Sequence, residues 1–269
     1  MTLKEEFIKL GYTEEDYEII RNNYAVNQIK DEALIKRLKD NFSFLLKMGY
    51  TKEEVIKMTK SLPSIYSYSI ENMKQKIEDM ITLGYTKEEV IKMTKNSPSI
   101  YSYSIETIKQ KIEDMITLGY TKEEVVKMTK GIPIIYSLSI ENMRQKIEDI
   151  ISLGYTKEEV IKMTKSLPSI YSLSIESIKQ KIDFYDSIDM HELAVINPKQ
   201  LMQSVNLSYA RYSFYKDRGI DIDMNNYGKL FVGQKKFEKT YGITKKELLE
   251  KYDYNKYKEE KEKENGRII

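Results

Sequence analysis

Residues 49 to 83 read GYTKEEVIKMTKSLPSIYSYSIENMKQKIEDMITL, and this 35-residue unit returns three more times, with few changes, up to residue 188. Gly49, Gly84, Gly119 and Gly154 mark the period, as do Pro63, Pro98, Pro133 and Pro168. A fixed period of this size means one supersecondary unit stacked on copies of itself.

Each unit writes its own helix boundaries. Thr51, with Glu54 three residues on, forms a capping box, and Tyr50 and Val55 sit where a hydrophobic staple closes over it. The box recurs at Thr86, Thr121 and Thr156; each cap stabilises its helix by roughly 1 kcal/mol. The spacing predicts a first helix to Ser61 with Val55, Ile56, Met58 and Leu62 as its apolar stripe. Pro63 ends it. After a turn carrying Ile65 and Tyr66, Ser69 caps a second helix striped by Ile70, Met73, Ile77, Met80 and Ile81, and Gly84 supplies its left-handed end. One such hairpin cannot bury both stripes, but a stack can. The expected fold is therefore an all-α solenoid, a superhelix of stacked helical hairpins without right-angle crossings, with period 35.

Outside the four copies the period decays. Residues 1–48 read as a divergent capping repeat: Gly11-Tyr12-Thr13 echoes Gly49-Tyr50-Thr51, and Asp31 is expected to cap a helix bearing Leu34, Leu38, Phe42 and Leu45. Residues 189–219 read as a shortened fifth repeat, because Pro198 and Gly219 keep the spacing of Pro63 and Gly84. Asp189 stands in the glycine's place and is expected to form a capping box with Glu192. Residues 220–254 are expected to hold C-terminal capping helices, one of them capped by Thr244 and Glu247, and the charged residues 255–269 to be disordered.

Composition narrows the function. The 269 residues contain no cysteine, which excludes disulfides and thiolate metal sites. The acidic, helix-like N-terminus does not read as a signal or transit peptide, and no apolar run has the length of a membrane span. A cytoplasmic monomer with no membrane role is expected. The one histidine, His191, is expected to be solvated; without a glycine-rich phosphate loop, metal-ligand spacing or a nucleophile beside a base, neither catalysis nor a cofactor or metal is expected.

The unit's pattern is carried by Gly84, Thr86, Glu88, Glu89, Pro98, Ile100, Tyr101, Ser104 and Gly119, with equivalents in each copy. It resembles the repeat of the mitochondrial transcription termination factor (mTERF) family. The stretches Tyr209 to Gly219 and Phe237 to Tyr241 are similar to that family's closing segment, so the resemblance spans about residues 11 to 252. It implies a curved superhelix whose groove binds nucleic acid, in proteins that terminate or regulate transcription or act on organellar RNA.

Charge is evenly matched in bulk. The net charge is +2, and residues 49–83 set five lysines against five acids. Distribution is more informative. Lys74 and Lys76 flank the second helix's stripe on its two edges, and stacking extends them into ladders. One is Lys74, Lys109, Arg144 and Lys179; the other is Lys76, Lys111, Lys146 and Lys181, continuing to Arg211. A row of cations along a groove suits a phosphate backbone. The same lysines could equally lie over the seam between repeats with their heads in water. Residues 209–269 hold fifteen Lys or Arg against eleven Asp or Glu, with Arg211, Lys216 and Arg218 as the favoured contacts. Lys57 is explained by a helix pair with Glu53. The tyrosines at 66, 101, 136 and 171 could stack on bases but sit where a turn must be sealed. The function expected is nucleic-acid binding, DNA or RNA, through these cations; the alternative is a protein- or peptide-interaction scaffold.

Overall fold

The computed structural model describes residues 2–265, and all regular structure among them is helical. It divides into two compact units, one ending at Ile140 and the other starting at Glu141.

In the first unit, α1 (Leu3–Leu10), α2 (Glu14–Arg21), α3 (Tyr24–Asn27) and α4 (Asp31–Lys47) make the terminal repeat. Regular hairpins follow: α5 (Lys52–Ser61) with α6 (Ile70–Thr82), α7 (Lys87–Asn96) with α8 (Ile105–Leu118), then α9 (Lys122–Gly131). The second unit carries α10 (Ile140–Ile151), α11 (Lys157–Ser166) and α12 (Ile175–Asp186), then the single turn α13 (Leu193–Ile196) and α14 (Val205–Lys216). It closes with α15 (Gln234–Tyr241), α16 (Lys245–Lys251) and α17 (Tyr254–Asn265). Proline opens a 3-10 turn between the helices of each hairpin, at Pro63–Ser67 and its four successors. The architecture is the all-α solenoid of helical hairpins that the period implies.

The local signals act as their chemistry requires. The Thr51, Thr86, Thr121 and Thr156 capping boxes form with both reciprocal hydrogen bonds, and Thr13 with Asp16 makes the same box in the terminal repeat. Val55, Met58, Met73, Ile77 and Met80 are buried, whereas Ile81 stands 43% exposed. Ile56 and Leu62 are only half-buried.

The repeats are joined by buried hydroxyls. Tyr12 Oη lies 2.8 Å from Thr59 Oγ1 and 2.5 Å from Tyr66 Oη, both in the next repeat. Tyr50 makes the same pair of bonds to Thr94 and Tyr101, and Tyr85 to Thr129 and Tyr136. Each threonine hydroxyl also donates to the carbonyl four residues before it. Burial pushes the Tyr12 phenol up to about 12, and Tyr50, Tyr66 and Tyr85 are raised as well, so the network is neutral. A second link lies outside it: Lys60 reaches Asp16 at 2.5 Å, Lys95 reaches Glu54 at 2.8 Å and Lys130 reaches Glu89 at 2.9 Å. Each joins a first helix to the capping-box acid of the repeat before it.

Four expectations are corrected. Asp31 does not cap α4: Lys30 holds the cap position with no side-chain bond, and Asp31 pairs with Arg21 at 3.1 Å. Asp189 makes no capping box with Glu192; its φ of +56° takes over the left-handed conformation of the repeat glycines. His191 is not free in water: its Nδ1 lies 2.6 Å from Asp186 Oδ1, and its ring stacks on Tyr155 at 4.2 Å. Within the tail expected to be disordered, residues up to 265 form α17, because Tyr254 and Tyr257 pack on Tyr209 with ring centroids 5.4 and 4.8 Å away. Residues 266–269 lie outside the described residues.

Two predictions follow from these links. Tyr50→Phe leaves the buried Tyr101 and Thr94 hydroxyls short of a partner, so urea denaturation should show a loss of about 1–3 kcal/mol. A Tyr50→Phe, Thr94→Val double variant should lose less than the two single losses combined. The Glu54 carboxyl is held below the usual range first by Lys95, Glu89 first by the Thr86 amide and then by Lys130. Burial alone would raise Asp16, but Lys60 and Thr13 bring it below that range. Stability from these acids is therefore complete above the unfolded carboxyl pKa of about 4 and is lost as pH falls through the lower folded values. The thermal midpoint by circular dichroism should drop on acidification below about pH 4. That drop should be shallower in a Lys60→Gln, Lys95→Gln, Lys130→Gln variant.

Candidate nucleic-acid interface

The second helix of each hairpin carries both cation ladders, and the structure separates them. Met73, Ile77 and Met80 fix the buried side of α6. At 100° per residue this sets Lys76 on one edge and Lys74 on the other.

The Lys76 edge is used by the fold. Within the first unit, the Lys76 ammonium donates to the Tyr103 carbonyl and Lys111 to that of Leu138. Within the second, Lys146 Nζ donates to Leu173 O at 2.7 Å. Each acceptor is the residue that closes the next repeat's 3-10 turn. Asn41 does the same one repeat earlier, donating to Ile65 O and Tyr68 O at 3.1 Å each. Lys181 is buried and turns back to Ser177 Oγ at 2.9 Å. Arg211 is 1% exposed; it donates to Leu230 O at 2.8 Å and Gln234 Oε1 at 3.0 Å, with its guanidinium 4.8 Å from the Phe237 ring centre. Burial lowers the pKa of Lys76, Lys111, Lys181 and Arg211. The expectation of a phosphate-facing row at Lys76, Lys111, Lys146, Lys181 and Arg211 therefore gives way to another role. Lys76, Lys111 and Lys146 strap one repeat's helix to the next turn, with apolar stems along the seam, while Lys181 bonds within its own helix and Arg211 holds the C-terminal segment.

The Lys74 edge is open. Lys74 and Lys109 are exposed in the first unit, and neither has an ion-pair partner among the described residues. Lys39, one period earlier, is paired with Glu6 at 2.7 Å. In the second unit Arg144 and Lys179 are exposed; Arg144 Nε lies 3.8 Å from Glu141. Lys216 and Arg218 are exposed at the end of α14, with Lys216 Nζ 5.8 Å from the Tyr212 ring centre and Arg218 packed 3.5 Å from that of Phe214.

The tyrosines considered for base stacking are core: Tyr66, Tyr101, Tyr136 and Tyr171 are all buried. A cleft of about 290 Å³ opens between α6 and the next turn, lined by Asn72, Gln75, Lys76 and Asp79 among others. Sequence reasoning passed over Lys235, Lys236, Lys239, Lys245 and Lys246, all exposed on α15 and α16. The signal was available in the uneven charge of that stretch.

No helix among the described residues is long and apolar enough to cross a membrane, and none of their acids and histidine cluster as metal ligands. The mTERF family model matches residues 5–152 and again residues 80–201. Comparison with the curated proteins returns no match.

The two edges predict different responses to mutation. Lys76→Ala with Lys111→Ala removes two charged donors from part-buried carbonyls and should cost about 1.5–3 kcal/mol per site in chemical denaturation. Lys74→Ala with Lys109→Ala should stay within about 0.5 kcal/mol of the parent per site.

Proposed function

The chain belongs to the mTERF family of non-enzymatic helical-repeat proteins that bind nucleic acid, and from that premise we propose that it holds DNA or RNA by its phosphate backbone to terminate or regulate transcription. It acts in the cytoplasm as a monomer. The contacts are Lys74 and Lys109 in the first unit and Arg144, Lys179, Lys216 and Arg218 in the second. The observation that carries this reading is the pair Lys74 and Lys109, exposed at the same turn of successive second helices with no ion-pair partner among the described residues. Phosphates at such cations release counterions, so affinity depends steeply on salt. Lys76, Lys111 and Lys146 serve the same function indirectly, by setting the spacing between helices.

A second reading, docking of a protein or peptide, is favoured by Leu46, Ile81 and Ile116, a row of period 35 left 41%, 43% and 43% exposed in the first unit.

Anisotropy titrations of labelled duplex DNA, duplex RNA and single-stranded RNA decide between them. Lys74→Glu with Lys109→Glu, and Arg144→Glu with Lys179→Glu, should each weaken binding roughly tenfold or more and lower the salt slope by about 0.9 per lost phosphate contact. Affinity and slope unchanged in both variants would overturn the phosphate reading. A protein partner captured after nuclease treatment, and lost with Ile81→Lys, would support the second.

A further inference from the structure

We propose that α15 and α16 form a second phosphate-binding face, outside the repeat array, that takes the extended backbone of a nucleic acid; this rests on the nucleic-acid reading above. Residues 229–251 hold seven lysines and three glutamates, whereas residues 49–83 are balanced. The excess is aimed outward. Phe237 is fully buried, so on an eight-residue helix Lys235 and Lys239 point the opposite way, and Lys236 stands on the shoulder; all three are exposed. On α16 the buried residue is Leu248, which turns Lys246 to solvent beside the exposed Lys245.

The acids nearby do not answer these cations. Glu238 accepts from Gln234 Nε2 at 2.7 Å and from the Lys245 amide at 2.9 Å. Glu247 closes the Thr244 capping box. Glu250 lies 3.8 Å from Lys246 and Asp217 lies 3.7 Å from Lys251, two loose pairs at the far end of the set. Lys235, Lys236 and Lys239 have no ion-pair partner among the described residues.

Fold stability alone disfavours this layout. Like charges four apart, as at Lys235 and Lys239, oppose a helix by a few tenths of a kcal/mol. Lysines in the first turn of α15, which has no acid there, oppose the helix dipole. By contrast, each first helix of the repeats opens with two glutamates. The base beneath the lysines is rigid. Arg211 holds Gln234 and the Leu230 carbonyl, and Phe237 packs on Phe214 with ring centroids 5.3 Å apart. Arg211 is therefore a positioning residue for this face. Five ammonium groups fanned over two convex helix surfaces suit a long polyanion, with phosphates at successive positions, better than a single small anion.

The test compares the full chain with a Lys235→Gln, Lys236→Gln, Lys239→Gln variant, using labelled duplex DNA and duplex RNA across 50–200 mM salt. The variant should bind roughly tenfold or more weakly, its salt slope lowered by about two to three, while its thermal midpoint stays level or rises. A Lys235→Ala, Lys239→Ala double variant gives an intermediate loss. Salt-dependent binding by the parent with an unchanged slope in the triple variant overturns this face and leaves the repeat contacts standing. No salt-dependent binding by the parent overturns the reading beneath both. Weakened binding to polyglutamate alone, with nucleic acid unaffected, assigns the face to an acidic protein and also overturns the proposal.

Discussion

A hydroxyl taken out of water must find a partner inside the protein, and the stack is built on that requirement. Within the first unit, Tyr12, Tyr50 and Tyr85, each following a repeat's glycine, project into the next repeat, where a threonine and a second tyrosine wait for them. Apolar stripes alone would let neighbouring hairpins slide, because burial is nearly indifferent to small shifts. Three oxygens meeting at one buried point are not indifferent: a slip of one helical turn would part the tyrosine hydroxyls from their partners in the neighbouring repeat. The glycine's left-handed conformation aims the tyrosine, and the proline turn brings the second tyrosine to meet it.

The same geometry explains why two ladders that look alike in the sequence have different fates. One edge of the second helix faces the next repeat's 3-10 turn, whose last carbonyl has no helical partner. Lys76, Lys111 and Lys146 are long enough to reach it, and Asn41 reaches it with a shorter arm. At the shortened repeat this bond is replaced. Lys181 then bonds within its own helix, and Arg211 ties down the C-terminal segment instead. The cation's persistence at this position reflects the seam rather than a ligand. Among the described residues the opposite edge bonds to no such carbonyl, and its cations are exposed.

Much of the fold was legible in the sequence because its signals are local. Capping boxes, prolines and glycines act within a few residues, and the period multiplied them. Links spanning dozens of residues were hidden. Tyr50 was read as a staple over Val55, since nothing within one hairpin reveals an oxygen donor such as Thr94 in the next. Near-identical copies also deny the usual help of variation, as Thr59 looks no more constrained than its neighbours. The tail shows the converse: a run of charges concealed two tyrosines with a place to pack. At the candidate site, helical phase separated Lys74 from Lys76 correctly. What each edge faces depended on the next repeat, which no single helix wheel includes.

The hydroxyl node also governs how such an array changes length. Tyr50 meets Thr94 and Tyr101, and Tyr85 meets Thr129 and Tyr136, through the same donors and acceptors. Excising residues 84–118 would therefore present Tyr50 with Thr129 and Tyr136 and leave no mismatched surface at the join. Interior repeats are therefore interchangeable at this node. The end is different: Tyr155 bonds to the His191 carbonyl instead of a threonine hydroxyl, so growth by this rule stops there.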